Sequence, residues 1–210
     1  MKGMLVRFGG LCAMLLALAG CDAIGALNSA STARDVFEVR SPATTPRARA
    51  AQGVQFVVEV PTASGAVDTD RILIRPSASQ VQYLADAQWT QAAPVMLQTA
   101  LVETFLKTGA FRYVGAQPLG ALGDLALVTH LSDFGVEATP DGGVVVMSVV
   151  ANLVREEDAS ILSSRRFARR VPIPDTSTES IIAGFESVSA AVLTDMANWV
   201  LSARGIGRAS

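Results

Sequence analysis

The chain has 210 residues, half of them hydrophobic, and a formal net charge of −2. A mildly acidic chain lacks the basic excess that binds nucleic acid, so that class is set aside. Two cysteines, Cys12 and Cys21, and one histidine, His130, are too few for a His/Cys zinc site.

Residues 1–20 read as a lipoprotein signal peptide. Lys2 and Arg7 form a basic start, and residues 8–20 are an uncharged, mostly apolar run. That run is too short to span the ~30 Å hydrocarbon core, which takes about 20 apolar residues as a helix. Leu18-Ala19-Gly20-Cys21 sets small residues directly before a cysteine, the pattern of a bacterial lipobox. An ordinary secretory signal with an A-x-A-like site is the alternative. On the lipobox reading Cys12 leaves with the signal and Cys21 carries the lipid, palmitate included. No disulfide is then available to the mature chain, so a periplasmic domain must stand on its core alone. Stable anchoring takes more than one acyl chain. Asp22 resembles the inner-membrane retention signal of enteric bacteria.

Residues 21–52 are rich in Ala, Ser, Thr, Pro and Arg and read as the anchor and a flexible tether, with a root-mean-square span of roughly 30 Å. Within it residues 36–39 read as an edge strand. The domain proper is expected over 53–205. Val54, Phe56, Val58 and Val60 alternate as in a half-buried strand, and Pro61 and Gly65 mark a loop. A second strand, 71–75, stops at Pro76. A short third one, 80–84, carries Val81 and Tyr83 on one face.

A helix follows from Ala93 to Thr108, with Pro94 in its first turn and Gly109 just past its end. Leu97, Leu101 and Phe105 form its apolar stripe, and Glu103 and Lys107 an i, i+4 pair. Residues 111–114 are a strand. Residues 124–137 and 143–155 form a long hairpin around Pro140-Asp141-Gly142-Gly143. A further strand, 161–171, leads to a helix over 177–203, opened by a Thr176/Glu179 capping box. Ile181, Phe185, Val188, Val192, Met196 and Trp199 give that helix one apolar side. The sum predicts an α+β, two-layer domain: a largely antiparallel twisted sheet with two amphipathic helices on one face.

The chemical inventory is sparse. No G-x-x-x-x-G-K-[ST] loop and no G-x-S-x-G elbow occurs. A hydrolase would have to use His130, which sits within a predicted strand and reads more simply as structural or exposed. No cofactor is expected. Arg165, Arg166, Arg169 and Arg170 cluster on one strand, and alternation sends Arg165 and Arg169 to one face and Arg166 and Arg170 to the other. They read as protection of an edge strand, or as a docking patch for an acidic partner or lipid headgroups. Tyr83 and Trp89 read as packing at the strand-to-helix corner, or as a partner-binding aromatic pair.

The stretch Asp70-Arg71-Ile72-Leu73-Ile74-Arg75, then Tyr83 to Trp89, then Ala100-Leu101-Val102-Glu103 resembles the ABC-type transport auxiliary lipoproteins, the group that includes paraquat-inducible protein C. The likeness continues more weakly through the hairpin, Arg166-Phe167 and the last helix to Trp199. Phe105 stands where the family's helix pattern ends in Leu. The resemblance implies a non-catalytic accessory of an ABC system that moves lipids or hydrophobic compounds across the envelope. Its implied partners are an MCE-domain (mammalian cell entry) protein, a permease and an ATPase. It leans toward the outer membrane, whereas Asp22 hints at the inner one. A structural or assembly lipoprotein without a transporter is the rival expectation, and a homo-oligomer stays open.

Overall fold

A computed structural model describes residues 34–203. The expected signal peptide, Cys21 and Asp22 lie outside them. The folded unit starts at Asp35.

Its spine is the long hairpin. Strands β7 (Leu125–Thr139) and β8 (Gly142–Arg155) pair antiparallel from Leu125↔Arg155 to Thr139↔Gly142, and β9 (Ser160–Ile173) pairs antiparallel with β8. Gly142 closes the turn at φ +138°, and a Cβ there would lie 2.4 Å from the Ile173 carbonyl oxygen. Only glycine meets both demands. A register shift between Leu131 and Asp133 changes which residues of β7 face the core. Leu127 and Leu131 are buried before it, Phe134 and Val136 after it.

The other edge of β7 is shared by three parallel strands. β2 (Gln52–Val58) pairs near Leu125, β3 (Thr62–Ala63) near His130, and β4 (Arg71–Ser77) near Gly135. From β2 the sheet extends to β6 (Phe111–Gly115), in parallel. From β4 it extends antiparallel to β5 (Gln80–Trp89) and then in parallel to β1 (Asp35–Phe37). The sheet is open and mixed, with most of its paired length antiparallel. Two helices complete the α+β fold, α1 (Ala93–Thr108) and α2 (Thr178–Ala203).

The helix ends follow local chemistry. Pro94 lies in the first turn of α1, and Gly109 ends it in the left-handed conformation, φ 62°, donating its N–H to the Leu106 carbonyl. α2 is capped one residue later than Thr176. The Ser177 hydroxyl accepts the Ser180 N–H at 3.3 Å, and the Ser177 carbonyl accepts the Ile181 N–H. By length and composition α2 could cross a membrane, but half of its apolar window is buried in the fold.

Three aromatic groups tie helices to sheet. Phe56 of β2 stacks on Phe111 at 4.4 Å and meets Phe105 of α1 edge-on at 4.8 Å. Trp89 lies 5.4 Å from Phe134 of β7 and 5.0 Å from Phe185 of α2. Phe167 of β9 lies 5.5 Å from Trp199, whose Nε1 donates to Ser163 Oγ at 3.2 Å.

Beside Phe134 lies a cavity of about 10 Å³, lined also by Met96, Leu97, Leu131 and Met147 among others. Ser189 of α2 reaches it with a buried hydroxyl that has no hydrogen-bond partner among the described residues. Ser189→Ala is therefore expected to raise stability by about 1 kcal/mol, since an unsatisfied polar group leaves the core and helix propensity rises. Urea unfolding checks this: a lower midpoint would mean that the hydroxyl is satisfied in solution.

Three boundaries differ from expectation. Residues 35–52, tether-like in composition, belong to the folded unit. Val39 is 8% exposed, and its N–H lies 3.2 Å from Met96 Sδ. Ser41 Oγ donates to Glu103 Oε2 at 2.9 Å and accepts from Lys107 Nζ at 2.5 Å, while Lys107 also donates to the Pro42 carbonyl at 3.1 Å. Glu103 and Lys107 thus act together as a clamp on the entering chain. The expected edge strand 36–39 is β1, three residues long. The third strand, expected to end at 84, runs on to Trp89 through a register shift between Arg71↔Gln88 and Leu73↔Tyr83.

Candidate partner-binding surface

The register of β9 sorts the arginine cluster. Arg165 and Arg169 stand opposite Ala151 and Met147, on the face where Phe167 is buried against Trp199. Arg169 donates to Asp195 of α2 at 2.5 Å, and the Arg165 guanidinium lies 5.4 Å from the centre of the Phe167 ring. Arg166 and Arg170 stand opposite Val150 and Val146, on the other face. The structure therefore splits the cluster into two pairs, as strand alternation requires.

On that other face a charge ladder crosses the sheet. Arg75 of β4 and Glu137 of β7 are register partners, and Arg75 also bonds Asp133 at 2.8 Å. Arg170 reaches across β8 to hold both oxygens of Glu137, at 2.5 and 3.2 Å. Arg166 donates to Ser148 Oγ at 3.2 Å. The Glu137 carboxyl is held below its ordinary value, first by the Arg170 hydrogen bond and then, against opposing burial, by the charges of Arg170 and Arg75. Arg170 is raised in turn, chiefly by its hydrogen bond to Glu137.

A folded-state carboxyl with a lowered value contributes stability above the unfolded carboxylate range and loses it as pH falls through the folded value. The pair is partly exposed, with side chains 55% and 37% accessible. Arg170→Gln is therefore expected to cost within about 1 kcal/mol at neutral pH, with the deficit closing in acid. Urea midpoints of both proteins at pH 7 and near pH 3 check this. An undiminished gap in acid would assign the loss to packing instead.

The two aromatic candidates part company. Tyr83 is 38% exposed, is the register partner of Leu73, and has the Arg71 guanidinium 5.5 Å from its ring centre. Trp89 is 2% exposed and belongs to the core with Phe134 and Phe185. The register shift in β5 turns Trp89 inward, so the two aromatics do not share one exposed surface.

His130 is exposed in β7, its Nδ1 2.9 Å from Thr62 Oγ1. Among the described residues no group of three or more His, Cys, Asp or Glu side chains could hold a metal ion.

Comparisons with known proteins bear on the same folded unit. A crystal structure of a Xanthomonas campestris protein of the DUF330 family superposes with a TM-score of 0.72 at 24% identity, covering 81% of this chain and 96% of the other. A second crystal structure, of an uncharacterized protein, has a TM-score of 0.63 at 16% identity, covering 80% and 99%. At these identities both show the fold. No curated protein matches the chain. The family described as the ABC-type transport auxiliary lipoprotein component matches residues 36–197, from β1 to the last third of α2. The chain belongs to that family, and is thus a membrane-anchored lipoprotein of the cell envelope.

Proposed function

We propose that the protein is a non-catalytic auxiliary subunit of an MCE-type ABC system that moves lipids or hydrophobic compounds across the envelope. It is anchored through lipid on Cys21, with its domain in the periplasm, and it contacts the MCE-domain protein. The observation that carries this reading is the family match over nearly the whole folded unit. Two features of the fold support it. The contacts of Phe105 with Phe56, and of Phe185 with Phe134, fit a two-layer arrangement with both helices on one face. That arrangement leaves the face with the charge ladder open to a partner. The core cavity of about 10 Å³ is far below the roughly 300 Å³ of a small ligand site, and a larger hollow of about 780 Å³, lined by Phe37, Arg40, Ser41 and Glu186 among others, lies open at the surface beside charged side chains, which favours a docking role over lipid carriage within the domain.

The test is co-purification of the tagged full chain from detergent-solubilised membranes. MCE and permease subunits should come down with it. Their absence from the eluate, with the bait present in good yield, would overturn the reading in favour of a structural lipoprotein. Cys21→Ala should keep the fold but lose palmitate labelling and membrane retention. Separation of the two membranes on a density gradient would place the anchor, for which Asp22 points inward and the family resemblance outward.

A further inference from the structure

We infer that the free edge of β9 is a strand-addition site for an extended segment of another protein carrying two consecutive acidic residues. β9 is fourteen residues long and, among the described residues, pairs only with β8. The strands at the other ends of the sheet are shorter, β1 with three residues and β6 with five. Along an edge strand every second residue turns its N–H and C=O away from the sheet. Ala168, mid-strand, is exposed. Pro172 has no N–H to give, so it bounds the pairing window to residues 161–171.

The arginines select the occupant. Arg169 and Arg170 are already paired within the fold, with Asp195 and Glu137. Arg165 and Arg166 have only a ring and a hydroxyl, and no ion pair among the described residues. Being consecutive, they point to opposite faces of the sheet. An added strand with two consecutive carboxylates sets one opposite each of them. A second copy of this chain is the wrong occupant. Antiparallel pairing of two β9 strands about any axis from residue 165 to 170 places arginine opposite or diagonal to arginine. A flat anionic bilayer laid on the sheet meets Arg165 or Arg166, not both. The inference concerns the edge itself and does not depend on which transport system supplies the strand.

The experiment uses the full chain in detergent and two fluorescein-labelled peptides of alternating Thr and Val, one with a central Asp-Glu pair and one with Lys-Lys. The Asp-Glu peptide is expected to bind at least about tenfold more tightly by anisotropy, the scale of two opposite-charge cross-strand pairs. It should also slow hydrogen exchange of β9 amides within 161–171. The double variant Arg165→Gln, Arg166→Gln should lose that preference while the exchange of α2 stays unchanged. Equal binding of both peptides, or of neither, overturns the proposal. So does protection outside β9, or binding confined to phosphatidylglycerol vesicles. A dimer whose β9 amides are protected without peptide would give the edge to a second copy and also overturn it.

Discussion

Replacing Trp89 with alanine is expected to lower the free energy of unfolding by about 3–5 kcal/mol, the usual cost of emptying a large aromatic core site. Trp89 ends β5 immediately before α1, and its ring meets one aromatic from the sheet and one from α2. Phe134 and Phe185 also touch each other at 4.6 Å, so removal of the indole opens a space that these two rings cannot both close. The loss therefore combines transfer free energy with a residual cavity. Trp89→Phe should keep roughly half of it, because a smaller ring still fills the site. Urea unfolding followed by circular dichroism gives the number. A loss below about 1 kcal/mol would place Trp89 at the surface, the range of an ordinary exposed substitution. The same measurement separates the two readings of this residue, since a docking aromatic would lose binding and keep stability.

Gly184→Val should cost about 2–3 kcal/mol, in spite of a helix propensity that favours valine over glycine. At Gly184, α2 passes close to β8 and β9. A Cβ there would lie 2.5 Å from Val145 Cγ2 and 2.8 Å from Ile173 Cγ2. Val145 is fully buried and β-branched, so it has little freedom to rotate away. The helix must lift or the strand must bend, and either motion disturbs the packing of Phe185 on Trp89. The partner change makes the cause testable. In Gly184→Val with Val145→Ala, the space vacated on β8 should accept the new side chain, giving a favourable coupling of at least about 1 kcal/mol. Strict additivity of the two single losses would show that close approach is not the reason for glycine at this position.

The parts of the fold legible in the sequence are those set by local chemistry. The stripe Leu97, Leu101, Phe105 and the αL residue Gly109 define α1 to the residue. Pro140-Asp141-Gly142-Gly143 locates the hairpin because few residues other than glycine accept that turn. The parallel pairings were hidden, since β4 meets β7 across some sixty residues of chain and leaves no local pattern. The continuation of β5 was hidden as well: Ala85 and Asp86 are exposed, and the register shift there breaks the alternation that marks a strand. Alternation alone therefore leaves both the packing and the partner-binding reading of Trp89 open. Residues 35–52 misled for a different reason. Their composition is polar, yet Ser41 is held by Glu103 and Lys107, partners that composition cannot reveal. Of the candidate surface, the split of the arginines followed from alternation alone. Which of them are neutralised depended on Asp195 and Glu137, brought close only by the folded sheet and α2.

The clamp on Ser41 also sets a geometric limit. On the proposed Cys21 anchor, the contour between anchor and folded unit is counted from Cys21 to Arg34 rather than to residue 52, an upper bound of about 45 Å in place of about 110 Å. A partner fixed in the opposite membrane would then have to bring its contact surface within that reach while Ser41 stays clamped.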